Sequence, residues 1–317
     1  MDCDILISGG GIAGLTAAAA FGSAGFKVIC VDPTPPITDG DADGADLRST
    51  AMLQPARRVL EAAGIWTHLA DHAAPLQIMR IVDAGGADPE PRVTREFNAA
   101  EISDQPFGWN FPNWLLRRAL LDRLAELPNV DFRPGTGTTS LFTRTAEARV
   151  GLSDGSRITT PLVIAADGRN SPMREAAGID ITTSGYGQSA VVFAVTHPVP
   201  HENVSTEIHR TGGPFTLVPL PDRDGMPCSA VVWMDSTAEC TRRMALDAKT
   251  FSEEATLRSC HLFGPLTLAT ARNVWPIITQ HAARLSGERI ALIAEAAHVM
   301  PPIGAQGLNM SLQDVAT

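Results

Sequence analysis

The chain alternates between runs that are apolar at nearly every position and stretches broken by glycine and proline. Residues 3–8 form a short apolar run, Gly9, Gly10, Gly11 and Gly14 follow, an alanine-rich stretch continues to residue 24, and a second apolar run, 27–31, ends in Asp32. A strand buried on both faces of a parallel sheet reads as such a run, so the segment predicts strand, turn, helix, strand. Residues 162–166 are again apolar throughout and end in Asp167-Gly168-Arg169-Asn170-Ser171. A third run, 289–294, reads as a strand, passes through Glu295, two prolines and two glycines, and re-enters a helix-like stretch at 310–314. From about residue 184 to 275 the pattern is strand-like and punctuated by proline and glycine, which predicts a mostly antiparallel sheet. A helix is expected from about Thr50, with Arg48 a surface cation at its start.

Composition narrows the class. The 317 residues are 44% hydrophobic, which allows two domains with real cores. With 25 Lys+Arg against 35 Asp+Glu the formal charge is 25 − 35 = −10, and no local basic patch offsets it, so nucleic acid is set aside as a partner. Five cysteines, Cys3, Cys30, Cys228, Cys240 and Cys260, contain no C-x-x-C pair, which argues against a disulfide framework or a thiolate zinc site and for a reducing compartment. Asp2 and Asp4 stand where an export signal carries positive charge, and no window reaches the ~20 apolar residues of a spanning helix. The expected setting is the cytoplasm, with any membrane contact peripheral.

The N-terminal glycines carry the first chemical reading. Gly9 suits the tight turn, Gly11 the close approach of a pyrophosphate, and Gly14 the contact of helix on strand. Ile12 and Ala13 open the helix whose free N–H groups would face the anion, and Asp32 can accept a hydrogen bond from a ribose 2′-hydroxyl. In a chain with 27 glycines the bare G-x-G-x-x-G string arises about 0.2 times by chance, so its strand and helix context carries the weight. Gly185-Tyr186-Gly187 fits a looser form of the pattern but precedes the strand-like residues 191–196, and reads as a turn before a sheet.

Other signals favour bland readings. Asp39, Asp41 and Asp43 imitate half a calcium loop, yet its twelfth position is Thr50 and no helix precedes it, so a solvated loop is expected. Glu295 and His298 have the spacing of a di-iron ligand pair without a second copy, which leaves His298 structural or close to the cofactor. His68 and His72 stand four apart on an expected helix and suggest a solvated face, whereas His197 and His201 are separated by prolines. No hydrolase elbow or H-E-x-x-H motif is present. Trp109, Phe111, Trp114, Phe215 and Trp233 read as core or pocket lining.

Taken together, the glycine fingerprint, Asp167-Gly168 with Ser171 and Arg174, and the stretch 295–309 resemble the flavoprotein aromatic hydroxylases, to which p-hydroxybenzoate hydroxylase belongs. The central stretch 213–222 and Val231-Val232-Trp233 are most similar to the ubiquinone-biosynthesis branch. The resemblance implies an FAD-binding βαβ, Rossmann-like domain at 1–70, 105–180 and 275–317, and an inserted, mostly antiparallel β-sheet substrate domain at 71–104 and 181–274. It implies an FAD pyrophosphate on Gly9, Gly11, Ile12, Ala13 and Gly14, and the adenosine ribose on Asp32. Arg48 and Arg117 would lie along the phosphate and ribityl side, and Asp167 beside flavin and nicotinamide. Gly304, Gly307, Leu308 and Asn309 would turn backbone N–H groups toward the pyrimidine end of the flavin. Glu295 stands where most of the family has Asp and is expected to reach a ribityl hydroxyl with shifted geometry. The family continues past this motif, so a missing C-terminal segment is expected, with weaker flavin retention.

The implied activity is hydroxylation of an aromatic ring by dioxygen on reduced FAD, with NADH or NADPH as transient reductant. No catalytic acid or base is assigned, because the cofactor carries the chemistry. The implied substrate is a polyprenylated phenol, reached by peripheral docking or in a complex with other biosynthetic enzymes. Three alternatives stay open: a hydroxylase of a soluble phenol, a flavin-dependent isoprenoid reductase, and a non-catalytic flavin-binding assembly component.

Overall fold

The computed structural model describes every residue except Asp41, Gly44, Ala45, Leu47 and Ala87, so the calcium-like run falls partly outside the described residues. The chain begins β1 (Ile5–Ser8), α1 (Ile12–Ser23), β2 (Val28–Asp32), β3 (Ser49–Leu53), α2 (Gln54–Ala62), β4 (Ala74–Leu76), β5 (Ile78–Asp83), β6 (Val93–Asn98), β7 (Gly108–Pro112) and α3 (Asn113–Ala125). It continues β8 (Val130–Pro134), β9 (Thr138–Thr143), β10 (Ala148–Leu152), β11 (Arg157–Thr160), β12 (Leu162–Ala165), α4 (Pro172–Ala176), β13 (Ile181–Thr196), β14 (Val204–Arg210), β15 (Gly213–Arg223) and β16 (Met226–Ser236). The last part is α5 (Thr237–Met244), α6 (Ala248–Arg258), β17 (Thr267–Leu268), β18 (Asn273–Ala282), β19 (Ser286–Gly287), β20 (Ile290–Leu292), β21 (His298–Val299) and α7 (Gln306–Ala316).

Two large sheets result. The first has the order β19-β20-β12-β1-β2-β8, and all its pairs but β19–β20 are parallel. All four residues of β1 are buried, and α1 is apolar on nearly every side because it lies between this sheet and the helices α3 and α7. The second sheet has nine strands, antiparallel except where β14 meets β5, as the alternating central pattern predicts. Along its strands the odd-numbered Val191, Phe193, Phe215, Leu217, Val231 and Trp233 pack beneath Phe251 and Ala255 of α6. Each fully buried phenylalanine there contributes about 1.5–3 kcal/mol. The opposite face carries Ala190, Val192, Ala230, Val232 and Met234, and Trp275, paired with Ala190 on that face, meets Arg169 from the turn after β12 of the first sheet. A small sheet, β3-β7-β4, joins the two, and Asn110 on β7 crosses the seam by donating to the carbonyl of Pro219 at 2.8 Å.

Several expectations are corrected. The helix expected from Thr50 begins at Gln54: β3 pairs with β7 first, and Pro55 then sits in the opening turn, where its missing N–H costs nothing. His68 and His72 end two separate one-turn 3-10 helices, so they share no helix face, and His68 instead meets Glu126 at 3.2 Å. Gly185 and Gly187 lie inside β13, at a break in its register with β18, rather than in a turn ahead of it. The strand-like stretch 184–275 contains α5 and α6. The third apolar run is a strand only over β20, because Ala294 takes a left-handed φ of +56° and opens a 3-10 turn.

Candidate functional site

The glycine turn joins the carboxyl end of β1 to α1. Gly9 has φ +110°, and a Cβ there would collide with the Ala166–Asp167 peptide beyond β12. A Cβ on Gly14 would collide with the Gly9 carbonyl, so that glycine lets α1 lie on the turn. Around Gly11 the situation is the reverse: no atom lies within 4 Å of where a Cβ would stand. Gly11 is also the N-cap of α1, without a side-chain cap, so the first N–H groups of the helix, those of Ile12 and Ala13 among them, have no intrahelical partner. An open cradle above uncapped N–H groups fits a pyrophosphate. Asp32 at the end of β2 accepts from the N–H of Gly10 at 2.6 Å and of Thr34 at 2.8 Å. A carboxylate has further lone pairs, so a ribose hydroxyl remains within its capacity.

The second cluster adjoins the first. Asp167 accepts from the hydroxyl of Ser171, from the N–H of Met173 at 3.1 Å and from the hydroxyl of Ser8 at 3.2 Å. Burial pushes its carboxyl above the usual range, and these hydrogen bonds oppose the shift. Its oxygens therefore fix the turn between β12 and α4. Arg174 ties this turn to the third cluster, donating to the carbonyls of Ala296 and Arg169, both at 3.0 Å.

The third cluster starts where β20 ends. Glu295 forms a two-pronged pair with Arg169 at 3.1 and 3.2 Å, so its carboxylate meets a guanidinium at the mouth of the crevice. Gly304 has φ +57° and Ala305 φ +56°, a reversal that starts α7 without a side-chain cap. The N–H groups of Gly307 and Leu308 lie in its uncapped first turn. Asn309 is buried, and its side chain accepts from Leu53 N–H at 2.8 Å and donates to the carbonyls of Ala51 and Ala305, both at 2.7 Å. It holds the start of α7 against β3.

Farther along, Asp314 accepts from the N–H of Ala294 at 2.8 Å and pairs with His298 at 2.7 Å, which steadies the left-handed residue. The hydrogen bond to Asp314 favours the charged imidazole, burial opposes it, and the nearby carboxylates add to it; His298 stands above its ordinary 6.5. A raised folded value means the stabilisation is complete below about pH 6.5 and is lost as pH rises through the folded pKa. We expect the melting temperature to fall through that window above neutral His titration, and His298→Gln to flatten the fall. Superimposable profiles for the two proteins would contradict the assignment.

Arg48 and Arg117 do converge, but on a residue that no motif singles out. Asp46 receives Nε and Nη2 of Arg48, each at 2.7 Å, Nη2 of Arg117 at 3.3 Å and the amide of Asn113 at 3.1 Å. Burial raises the Asp46 carboxyl, but Arg48, Asn113 and Arg117 outweigh it and hold the group below the usual range. Trp275, also unforeseen, lies under the Arg48 guanidinium at 4.4 Å. Partners so far apart in sequence leave no local signal.

The three segments thus gather at the carboxyl ends of β1, β12 and β20, the end of a parallel sheet where ligands bind. Comparison with known proteins agrees with this geometry. A family model described as an FAD binding domain matches residues 2–317. Ubiquinone hydroxylase UbiL of Rhodospirillum rubrum is 34% identical over 313 residues, which are 99% of this chain and 70% of that protein. The 3-demethoxyubiquinol 3-hydroxylase of Escherichia coli is 27% identical over 317 residues, 98% of this chain and 77% of that one. Among solved structures, P. aeruginosa PqsL in complex with 2-aminobenzoylacetate has a TM-score of 0.83 at 21% identity, over 99% of this chain and 84% of that one, a likeness of fold. The chain belongs to the FAD-binding family of flavoprotein aromatic hydroxylases, in the branch that contains the ubiquinone hydroxylases.

Proposed function

We propose that this protein hydroxylates the ring of a polyprenylated phenol on the route to ubiquinone, using FAD, dioxygen and a reduced nicotinamide, NADH or NADPH. The observation that carries the reading is the 34% identity to a ubiquinone hydroxylase across 99% of the chain. The sheet face turned toward the cleft supports it, since Ala190, Val192, Val232 and Met234 offer an oily ring and tail no charge to desolvate.

Bound FAD supplies the activation of dioxygen. The chain's part is to bind, orient and keep water out. Gly9, Gly11 and Gly14, with the N–H groups of Ile12 and Ala13, hold the pyrophosphate; Asp32 takes the adenosine ribose. Arg48 and Arg117 set the charge beside the phosphate and ribityl chain, and Asp167 orients the turn next to them. Glu295 serves the ribityl side with Arg169 as its counter-ion. Gly304 permits the reversal that aims the N–H groups of Gly307, Leu308 and Asn309 at the pyrimidine end of the flavin, where reduction adds negative charge. The reading has the oily substrate met by peripheral docking or from partner enzymes; no helix among the described residues is long and apolar enough to cross a membrane.

The test is to purify the protein, identify the yellow cofactor it releases, and supply a prenylated and a plain phenol with reductant and labelled oxygen. Label in the prenylated ring with little hydrogen peroxide is expected. Better coupling with the plain phenol would favour a soluble substrate, and anaerobic turnover would favour a reductase. Protein that stays colourless with added FAD would leave only an assembly role.

A further inference from the structure

Trp275 stands on the cleft-facing side of β18, directly opposite Ala190 of β13. It is 36% exposed, on a stretch of β18 that has a strand beside it on one side only, since β21 pairs farther along at Gln280 and His281. Two guanidiniums from segments outside this sheet lie over its ring, that of Arg48 at 4.4 Å and that of Arg169 at 5.9 Å. Each is held at its edge by a carboxylate, Arg48 by Asp46 and Arg169 by Glu295. Four chain segments therefore meet around one ring, which carries two cations, each with its own carboxylate. Arg169 follows β12 and Glu295 follows β20, so this meeting lies at the carboxyl ends of the parallel strands, the end where ligands bind.

An arginine held by a carboxylate alone can still swing about that pair, because the fork fixes its plane but not which face is covered. An aromatic ring beneath the guanidinium removes that freedom and excludes water from one face. Leucine would fill most of the same volume without attracting a cation.

We propose that Trp275 is a positioning residue of the hydroxylase: its ring clasps the Arg48 and Arg169 guanidiniums across the domain seam and keeps the crevice shut while the aromatic ring is oxygenated. The proposal rests on the hydroxylase reading above. With the clasp open, the two electrons from the nicotinamide and two protons convert dioxygen to hydrogen peroxide, and no ring is hydroxylated.

The test compares Trp275→Phe, Trp275→Tyr and Trp275→Leu in the FAD-loaded enzyme. Phenylalanine and tyrosine are expected to keep the parent's ratio of peroxide to nicotinamide oxidised, and leucine to raise it about threefold, the scale of one cation–π contact. All variants should melt alike. A second measurement needs no turnover: hydrogen exchange of β3 in FAD-free protein should speed up in the leucine variant and not in the aromatic ones. If leucine matches phenylalanine in either measurement, the proposal is overturned. If even the parent oxygenates no phenol, the hydroxylase reading fails by itself, and the exchange comparison still decides the clasp.

Discussion

Gly11→Asp is expected to give a protein that melts at least as high as the parent yet binds FAD at least 100-fold more weakly, about 2.7 kcal/mol. The two effects separate because of what surrounds the residue. Gly11 has φ −70° and ψ 175°, an extended conformation open to any side chain, and no atom lies within 4 Å of its Cβ position. Aspartate is among the preferred N-caps, worth a few tenths of a kcal/mol over glycine. The new carboxylate would accept from the N–H groups that the pyrophosphate needs and repel its charge. Gly14→Ala is the contrasting case, since its methyl would strike the Gly9 carbonyl and move α1 off the strand. Thermal melting of the apoproteins and FAD titration distinguish the two. If Gly11→Asp binds FAD as the parent does, the turn holds no phosphate.

Asn309→Ala is expected to destabilise the protein by about 2–4 kcal/mol and to release its flavin, because buried groups that lose a partner cost ~1–3 kcal/mol each. The amide bonds Leu53 N–H, Ala51 carbonyl and Ala305 carbonyl, and it is 5% exposed, so water cannot replace it without opening the contact between β3 and α7. Asn309→Asp should be nearly as harmful, since a carboxylate keeps the bond from Leu53 but faces two carbonyl oxygens. Denaturant unfolding and the rate of FAD loss on dilution measure both. An aspartate variant equal to the parent would mean that the two donated bonds carry no weight.

What was legible in the sequence was whatever local pattern encodes. The β1-α1-β2 unit could be read because parallel strands are apolar at every position and the turn needs glycine at Gly9 and Gly14 for stated reasons of space. The placement of Trp109, Phe111, Trp114, Phe215 and Trp233 as core or pocket lining was likewise legible: four are buried, and Trp114 is half-buried against the core. The helices α5 and α6 were hidden by the surrounding strand pattern, although their caps were in plain view: Ser236 accepts from Glu239 N–H, and Asp247 from Lys249 and Thr250 N–H. The start at Thr50 was misplaced because β3 owes its conformation to pairing with β7, which is not visible in five residues. Asp46, Arg169 and Trp275 escaped for a related reason. Their roles depend on partners brought from across the chain by two sheets, and no spacing along the sequence records such a meeting.

The most direct measurement is the crystal structure of the protein with FAD bound. The account predicts the pyrophosphate over Gly11 at the start of α1 and the pyrimidine edge of the flavin against the first turn of α7, with Asp32 and Glu295 on either side of the same molecule. FAD bound elsewhere, or gripped at the glycine turn with its ring system away from α7, would contradict it.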